Sequence, residues 1–230
     1  MTEAGPFHWR SGAGWLVLVG GGDFETTESI DYNAIGSMVD DAPIAFIPTA
    51  SGPSDYGEAF LKHYTELGSP NGYVVPIYDA ASASDVENAQ KLARAGLIYI
   101  GGGDTEQLLD VLRGSLMLGA IAAAYDNGAV IVGMSAGAMA LGAWGVSSDE
   151  GVGVLRGWGW LSDTVVAPHF DENARADALH QALLERPNMI GLGIPENSAL
   201  ALSPEGQVVT WGSQQINVTF GPGLAWDAEK

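Results

Sequence analysis

AVIVGMSAGAMALG, residues 129–142, decides the reading of this 230-residue chain. An unbroken apolar run passes straight into Gly133-Met134-Ser135-Ala136-Gly137 and then into a string of small helix-forming residues. A run of that kind is a strand covered on both faces. G-x-S-x-G placed between a buried strand and a helix is a nucleophile elbow. The tight turn forces the central serine into a strained backbone conformation and lifts its hydroxyl off the carboxyl edge of a sheet, while the flanking glycines relieve crowding. The helix that follows offers backbone N–H groups to a developing negative charge.

Similar runs recur upstream: WLVLV at 15–19, IAFIP at 44–48, YVVPI at 73–77 and LIYI at 97–100. All are continuous rather than alternating, and amphipathic stretches separate them. That alternation predicts an α/β fold with a doubly wound, mostly parallel sheet flanked by helices. A helix over 85–95 is opened by Ser84 and Glu87 in the spacing of a capping box, and Asp104 with Gln107 repeats the spacing before Leu108. A third helix, over 116–125, stops at Asn127 and Gly128. After Val165 the pattern changes to one helix over 173–185 and short β-like runs at 199–202, 207–211 and 216–220, which read as a small antiparallel C-terminal edge. The first dozen residues and the last half dozen carry no pattern and are expected to be loose. The expectation is a single domain over 1–230 with an ordered core of about 15–222.

Composition narrows the function. Hydrophobic residues make up 47% and charged residues 16% of the chain, which is a globular balance. Nine Lys plus Arg against 28 Asp plus Glu leave a net charge of -19, which opposes any general grip on nucleic acid or on an anionic membrane surface. With no cysteine there is no disulfide, thiolate ligand or cysteine nucleophile, as suits a reducing compartment. The start has no signal-peptide pattern, and the longest apolar tract, 116–144, is broken by Tyr125, Asp126, Asn127 and Gly128. A soluble, cytoplasmic protein is expected. No H-E-x-x-H, P-loop or dinucleotide fingerprint occurs, so neither metal nor cofactor is expected.

A serine nucleophile needs a general base. Of the four histidines, His8 lies in the patternless start, His63 in a polar helical stretch and His180 within a helix. His169 follows the strand-like VVAP and so falls at a strand end, where the reactive edge of such a sheet lies. The carboxylate that would orient it stays open among Asp149, Glu150, Asp163, Asp171, Glu172 and Glu196. Gly101-Gly102-Gly103-Asp104 also ends a buried strand and opens a helix, and reads as a second oxyanion donor or a substrate cradle. Gly20-Gly21-Gly22-Asp23 repeats that pattern with less to recommend it. Arg175 sits in the first turn of its helix, against the helix dipole, where its fork could hold a substrate carboxylate or pair with a local acid.

Taken in order, GGGDTEQLL, GMSAGAMALG and PHFDENAR, with IAFIPTAS upstream and GLGIPENSAL downstream, resemble the dipeptidase E and cyanophycinase family of serine peptidases over roughly 15–220. The resemblance implies a fold like that of the class I glutamine amidotransferases, with serine in place of their cysteine. It implies Ser135 as nucleophile, His169 as base, and the N–H groups of Gly103 and Ala136 as oxyanion hole. In the family the acid lies about fifteen residues after the serine, at Glu150 here, where an aspartate is typical. Arg175 falls near the arginine that meets an aspartate side chain in dipeptidase E, although the loop from His169 to it is shorter here. Asp104 and Thr105 stand where the family contacts substrate, and Asp104 could hold a free amino terminus.

The expected function is a serine exopeptidase, a dipeptidase or aminopeptidase acting on dipeptides or short peptides, including those with N-terminal Asp, through an acyl-enzyme. Its partner is a small peptide substrate, with a homodimer left open. The alternatives are a cyanophycinase-like hydrolase of β-aspartyl-arginine peptides, an esterase or acyl transferase on the same elbow, and a non-catalytic peptide-binding module.

Overall fold

The computed structural model describes residues 1–39, 41–147, 153–171, 174–213 and 215–224. It begins with order where the sequence pattern is silent. Strands β1 (Thr2–Ala4) and β2 (Phe7–Trp9) form an antiparallel hairpin, which corrects the expectation of a loose N-terminal dozen. Strands of three residues are too short for a hydrophobic period to register. What fixes them is long-range, because the Trp9 side chain is fully buried. The last six residues, also expected to be loose, lie outside the described residues.

Along the chain follow β3 (Leu16–Val19), α1 (Phe24–Gly36), β4 (Ile44–Ile47), α2 (Tyr56–Glu66) and β5 (Gly72–Val74). Then come α3 (Val86–Ala93), β6 (Leu97–Ile100), α4 (Thr105–Leu112), α5 (Leu116–Asp126), β7 (Val130–Met134) and α6 (Ala136–Leu141). Next are β8 (Gly142–Val146), β9 (Val154–Arg156), β10 (Leu161–Pro168), α7 (Ala174–Glu185) and β11 (Ile190–Ile194). The described chain closes with β12 (Ser198–Leu202), β13 (Val208–Gly212) and β14 (Asn217–Phe220). Among the described residues no single helix is long and apolar enough to cross a membrane.

The mixed α/β architecture contains two sheets rather than one. The first runs β13-β12-β3-β7-β6-β4-β5. Its parallel part holds the five expected strands, and β12 and β13 make the expected antiparallel edge. The second runs β1-β2-β10-β11-β14, with β8 on β10 and β9 on β8. Here the last β-like run departs from expectation, since β14 leaves the C-terminal edge and pairs antiparallel with β11. Local pattern gives a strand its faces, but its partner is chosen by contacts far apart in sequence.

Continuous apolar strands need cover on both faces, and they have it. In β3, Leu16 and Leu18 enter one core cluster while Val17 and Val19 enter the other. Each such side chain is worth about 1.5–3 kcal/mol when fully buried. Helix starts follow the predicted chemistry with one shift: Asp85, not Ser84, caps α3, accepting from the N–H groups of Glu87 and Asn88. Asp104 caps α4 through Gln107 as expected.

One buried polar group links α1 to α2. The Asp31 carboxylate accepts from Tyr64 Oη at 2.7 Å and Thr27 Oγ1 at 3.2 Å, and lies 3.0 Å from His63 Nε2. His63, read as a residue of a polar helical stretch, is instead mostly covered. Burial is the largest influence on Asp31 and raises its pKa, outweighing the hydrogen bonds from Tyr64 and His63 that lower it. The folded state therefore holds this proton more tightly than the unfolded chain does. The resulting stability is complete below the unfolded carboxylate value and is lost as pH rises through the folded one.

Two outcomes are expected in urea denaturation. Trp9→Ala should lower the unfolding free energy by about 3–5 kcal/mol, the cost of emptying a large core position, whereas a loose N-terminus would lose almost nothing. Asp31→Asn should remove the part of the acid-side pH slope that this carboxylate contributes; an unchanged slope would show that it contributes none.

Candidate active site

Ser135 stands where β7 ends and α6 begins, with φ 52° and ψ -107°. That conformation is costly for a residue with a side chain, by about 1–3 kcal/mol, and the surroundings enforce it. The Ser135 N–H donates to Val19 O at 3.0 Å, tying the turn to the end of β3. Closeness explains the glycines on either side. A Cβ on Gly133 would lie 2.5 Å from Gly137 O, and one on Gly137 would lie 2.4 Å from Ile100 O. Only bare backbone lets the short helix sit this close to the strands below it.

His169 comes from the other sheet. It follows β10 with φ 49°, and its N–H donates to Gly20 O at 2.9 Å. The ring crosses the junction between sheets and places Nε2 2.8 Å from Ser135 Oγ. Nδ1 lies 3.1 Å from Glu196 Oε1. With the Nδ1 proton directed at that carboxylate, Nε2 presents its lone pair to the serine hydroxyl, the arrangement a general base requires.

The described residues thus bring Ser135, His169 and Glu196 into one chain of contacts. Glu150 and Asp149, the acids expected from the resemblance, lie outside the described residues. Glu196 was one of six acids left open. It ends the run after β11 much as His169 ends β10, so the strand-end criterion that singled out His169 applies to it too. Its side chain is 59% exposed and that of His169 36%. At such exposure water and salt screen the charge, so its contribution is mainly to orient the ring and select its tautomer.

The first glycine turn, read as the weakest of three, is the bed of the histidine. Gly21 has φ +144°, and a Cβ there would lie 2.4 Å from His169 Cε1. Its carbonyl also accepts from Asn197 N–H at 2.8 Å, which fixes the turn carrying Glu196. The signal was present as Gly20-Gly21-Gly22, but its use depends on a ring from another sheet.

The second turn, Gly101 to Gly103, lies beside the serine, since a Cβ on Gly102 would be 3.1 Å from Ser135 Cβ. Gly103 has φ +132° and leads into α4, and Ala136 opens α6. Asp104 and Thr105 are held within the helix start. The Asp104 carboxylate caps α4 and its N–H donates to Ala50 O at 2.8 Å, while Thr105 is buried. Arg175 stands in a cleft beside His169. It opens α7 and lines a cleft of about 870 Å³ together with His169, Asp171 and Glu196. Its Nη1 donates to Val146 O at 3.4 Å and its N–H to Asp171 Oδ1 at 3.3 Å.

A strained serine at a strand-to-helix turn, hydrogen-bonded to an imidazole that touches a carboxylate, defines a serine hydrolase on an α/β scaffold. The model of peptidase family S51 matches residues 16–209, and the chain belongs to that family of serine-type peptidases. It is 26% identical over 196 residues to a cyanophycinase of Geminocystis herdmanii, covering 81% of this chain and 72% of that protein. The crystal structure of a peptidase from an acI-B1 actinobacterium superposes with a TM-score of 0.76 at 26% identity, covering 91% of each chain. A putative peptidase E protein from Listeria monocytogenes shares the fold, with a TM-score of 0.56 at 21% identity over 87% of this chain and 99% of that one. The expected kinship with dipeptidase E and cyanophycinase is borne out.

The bed of the histidine gives a direct test. Gly21→Ala should leave a folded protein whose ring is displaced, and a displacement near 1 Å costs about 100-fold in rate. Reaction of Ser135 with a fluorophosphonate probe measures it, and a variant labelled at the wild-type rate would show that this turn does not position the imidazole.

Proposed function

We propose that the protein is a serine exopeptidase that hydrolyses dipeptides or short peptides with an acidic N-terminal residue through an acyl-enzyme on Ser135. The observation that carries the reading is the 2.8 Å contact between Ser135 Oγ and His169 Nε2. In this mechanism His169 takes the hydroxyl proton as Oγ attacks the scissile carbonyl. The tetrahedral oxyanion is received by the N–H groups of Gly103 and Ala136. As the intermediate collapses, the imidazolium gives its proton to the leaving amine. Water activated by the same imidazole then frees the acyl group and restores the serine.

Selection for an acidic residue falls to Arg175. A net charge of -19 slows the approach of an anionic substrate, so any preference for aspartate needs a local cation. Arg175 supplies one in the cleft beside His169, with a fork suited to a carboxylate. A second reading draws on the 26% identity to a cyanophycinase: the same catalytic groups would then act on β-aspartyl-arginine peptides, with Asp171 and Glu196 in the cleft as acceptors for the substrate guanidinium.

Ser135→Ala should abolish turnover while the fold persists; full activity in that variant would overturn the mechanism. Glu196→Gln keeps the contact but weakens its hold on the ring proton, and kcat should fall by about 100-fold, at the low end for a general-base assembly. Asp-X, neutral X-X and β-aspartyl-arginine dipeptides separate the two readings. With Arg175→Ala, selective loss of Asp-X turnover supports the aspartyl reading, and release of arginine from β-aspartyl-arginine by the wild type supports the other.

A further inference from the structure

An oxidant that acts on sulfur meets only thioethers in this chain, which has six methionines and no cysteine. One of them, Met134, is joined by its peptide bond to Ser135. It ends β7, and the alternation of that strand puts its side chain with Val130 and Val132 on the face covered by α1 and α2. The residues of β7 before it are buried, whereas Met134, at the carboxyl edge of the sheet, is half-buried. Two distances fix where its thioether lies. Tyr99 Oη donates to Met134 Sδ at 3.3 Å, from a ring that belongs to the buried cluster of Phe46, Phe60 and Tyr64. Met134 Cε lies 3.6 Å from the point where a Cβ on Gly102 would stand, and Ser135 Cβ lies 3.1 Å from that same point. The thioether thus reaches from a hydroxyl on a buried ring to the glycine turn beside the serine. Met117 and Met139 are buried, and Met189 stands at the start of β11, the opposite end from Glu196.

We propose that Met134 is a modification site: hydrogen peroxide oxidises its thioether to the sulfoxide and so switches off the neighbouring serine, reversibly. This rests on Ser135 being the nucleophile and not on which peptide is cleaved. In the step, a sulfur lone pair attacks one peroxide oxygen and the O–O bond breaks as the S–O bond forms. The departing hydroxide takes the proton of the transferred oxygen and leaves as water, so sulfur is oxidised and the peroxide reduced by the same electron pair. The product is polar and chiral where its parent was apolar. A thioether is only a weak acceptor for Tyr99 Oη, and the added oxygen has to be fitted where Sδ already meets that hydroxyl. Room for it comes from moving the end of the methionine or the glycine turn beside it, the turn that carries the Gly103 N–H of the proposed oxyanion hole. The new oxygen also brings a partial negative charge next to the place where an oxyanion has to form. Reduction by methionine sulfoxide reductases, one for each epimer, with a dithiol as electron donor, restores the thioether and releases the oxygen as water.

The test measures labelling of Ser135 by a fluorophosphonate probe before and after treatment of the full chain with hydrogen peroxide, with sulfoxide at each methionine quantified by peptide mass spectrometry. Wild-type protein carrying sulfoxide at 134 should label about 100-fold more slowly, the scale of a displacement near 1 Å at a reacting centre. Labelling should return after incubation with the two reductases and dithiothreitol. Met134→Leu, which conserves volume, should label at one rate before and after peroxide, while Met189→Leu should lose labelling as the wild type does. The wild-type correlation with position 134 and its reversal need no variant, so they decide the matter even where Met134→Leu folds poorly. Undiminished labelling of protein oxidised at 134 would overturn the inference and leave the nucleophile standing. So would an unoxidised Met134 while Met189 is converted, or an equal loss of labelling in Met134→Leu. No labelling of the untreated wild type would overturn the nucleophile and this inference together.

Discussion

The hydrogen bond between Ser135 and His169 spans two sheets, and most of the architecture can be understood as what keeps its ends 2.8 Å apart. The serine belongs to the parallel sheet, at the end of its inner strand β7 between β3 and β6. The histidine belongs to the second sheet, at the end of β10, beside β11. Two backbone ties hold the junction: His169 N–H to Gly20 O, and Asn197 N–H to Gly21 O. The glycine turn after β3 thus sits between the sheets and fixes both the imidazole and the segment that carries Glu196. A rigid contact of this kind must be built from buried strands, because a loop would scatter the geometry by more than the fraction of an ångström that general-base chemistry tolerates.

Electrostatics divide the work differently from packing. The contact that needs precision, serine to imidazole, is half-buried, while the carboxylate on the far side of the ring is largely in water. An exposed acid is weak as a charge, which suits a role in orienting the ring. The buried acid, Asp31, lies among the partners it shares with α1 and α2 and away from these groups, and burial rather than chemistry governs its proton. The overall charge of -19 leaves cations scarce, and Arg175 places one of them in the cleft beside His169.

Much of this was legible in the sequence. The five parallel strands, the cap at Asp104, the elbow at Ser135 and the strand-end histidine follow from runs of fewer than a dozen residues, in which apolar continuity, small residues and turn chemistry agree. What escaped it has one cause. The β1–β2 hairpin, the transfer of β14 to a second sheet, the use of Gly21 as a bed for His169 and the arrival of Glu196 at Nδ1 all depend on partners brought together from distant parts of the chain.

The amino-acid sequence by itself determined two of the residues that meet in the candidate site: a serine forced up by a strand-to-helix turn and a histidine placed at a strand end. These are consequences of local sterics and hydrophobic period, which act over a few residues. Tertiary structure alone decided which carboxylate meets the imidazole. Twenty-eight acids are chemically interchangeable along a chain, and only the pairing of β10 with β11, and of β12 with β3, carries one of them, Glu196, to the ring.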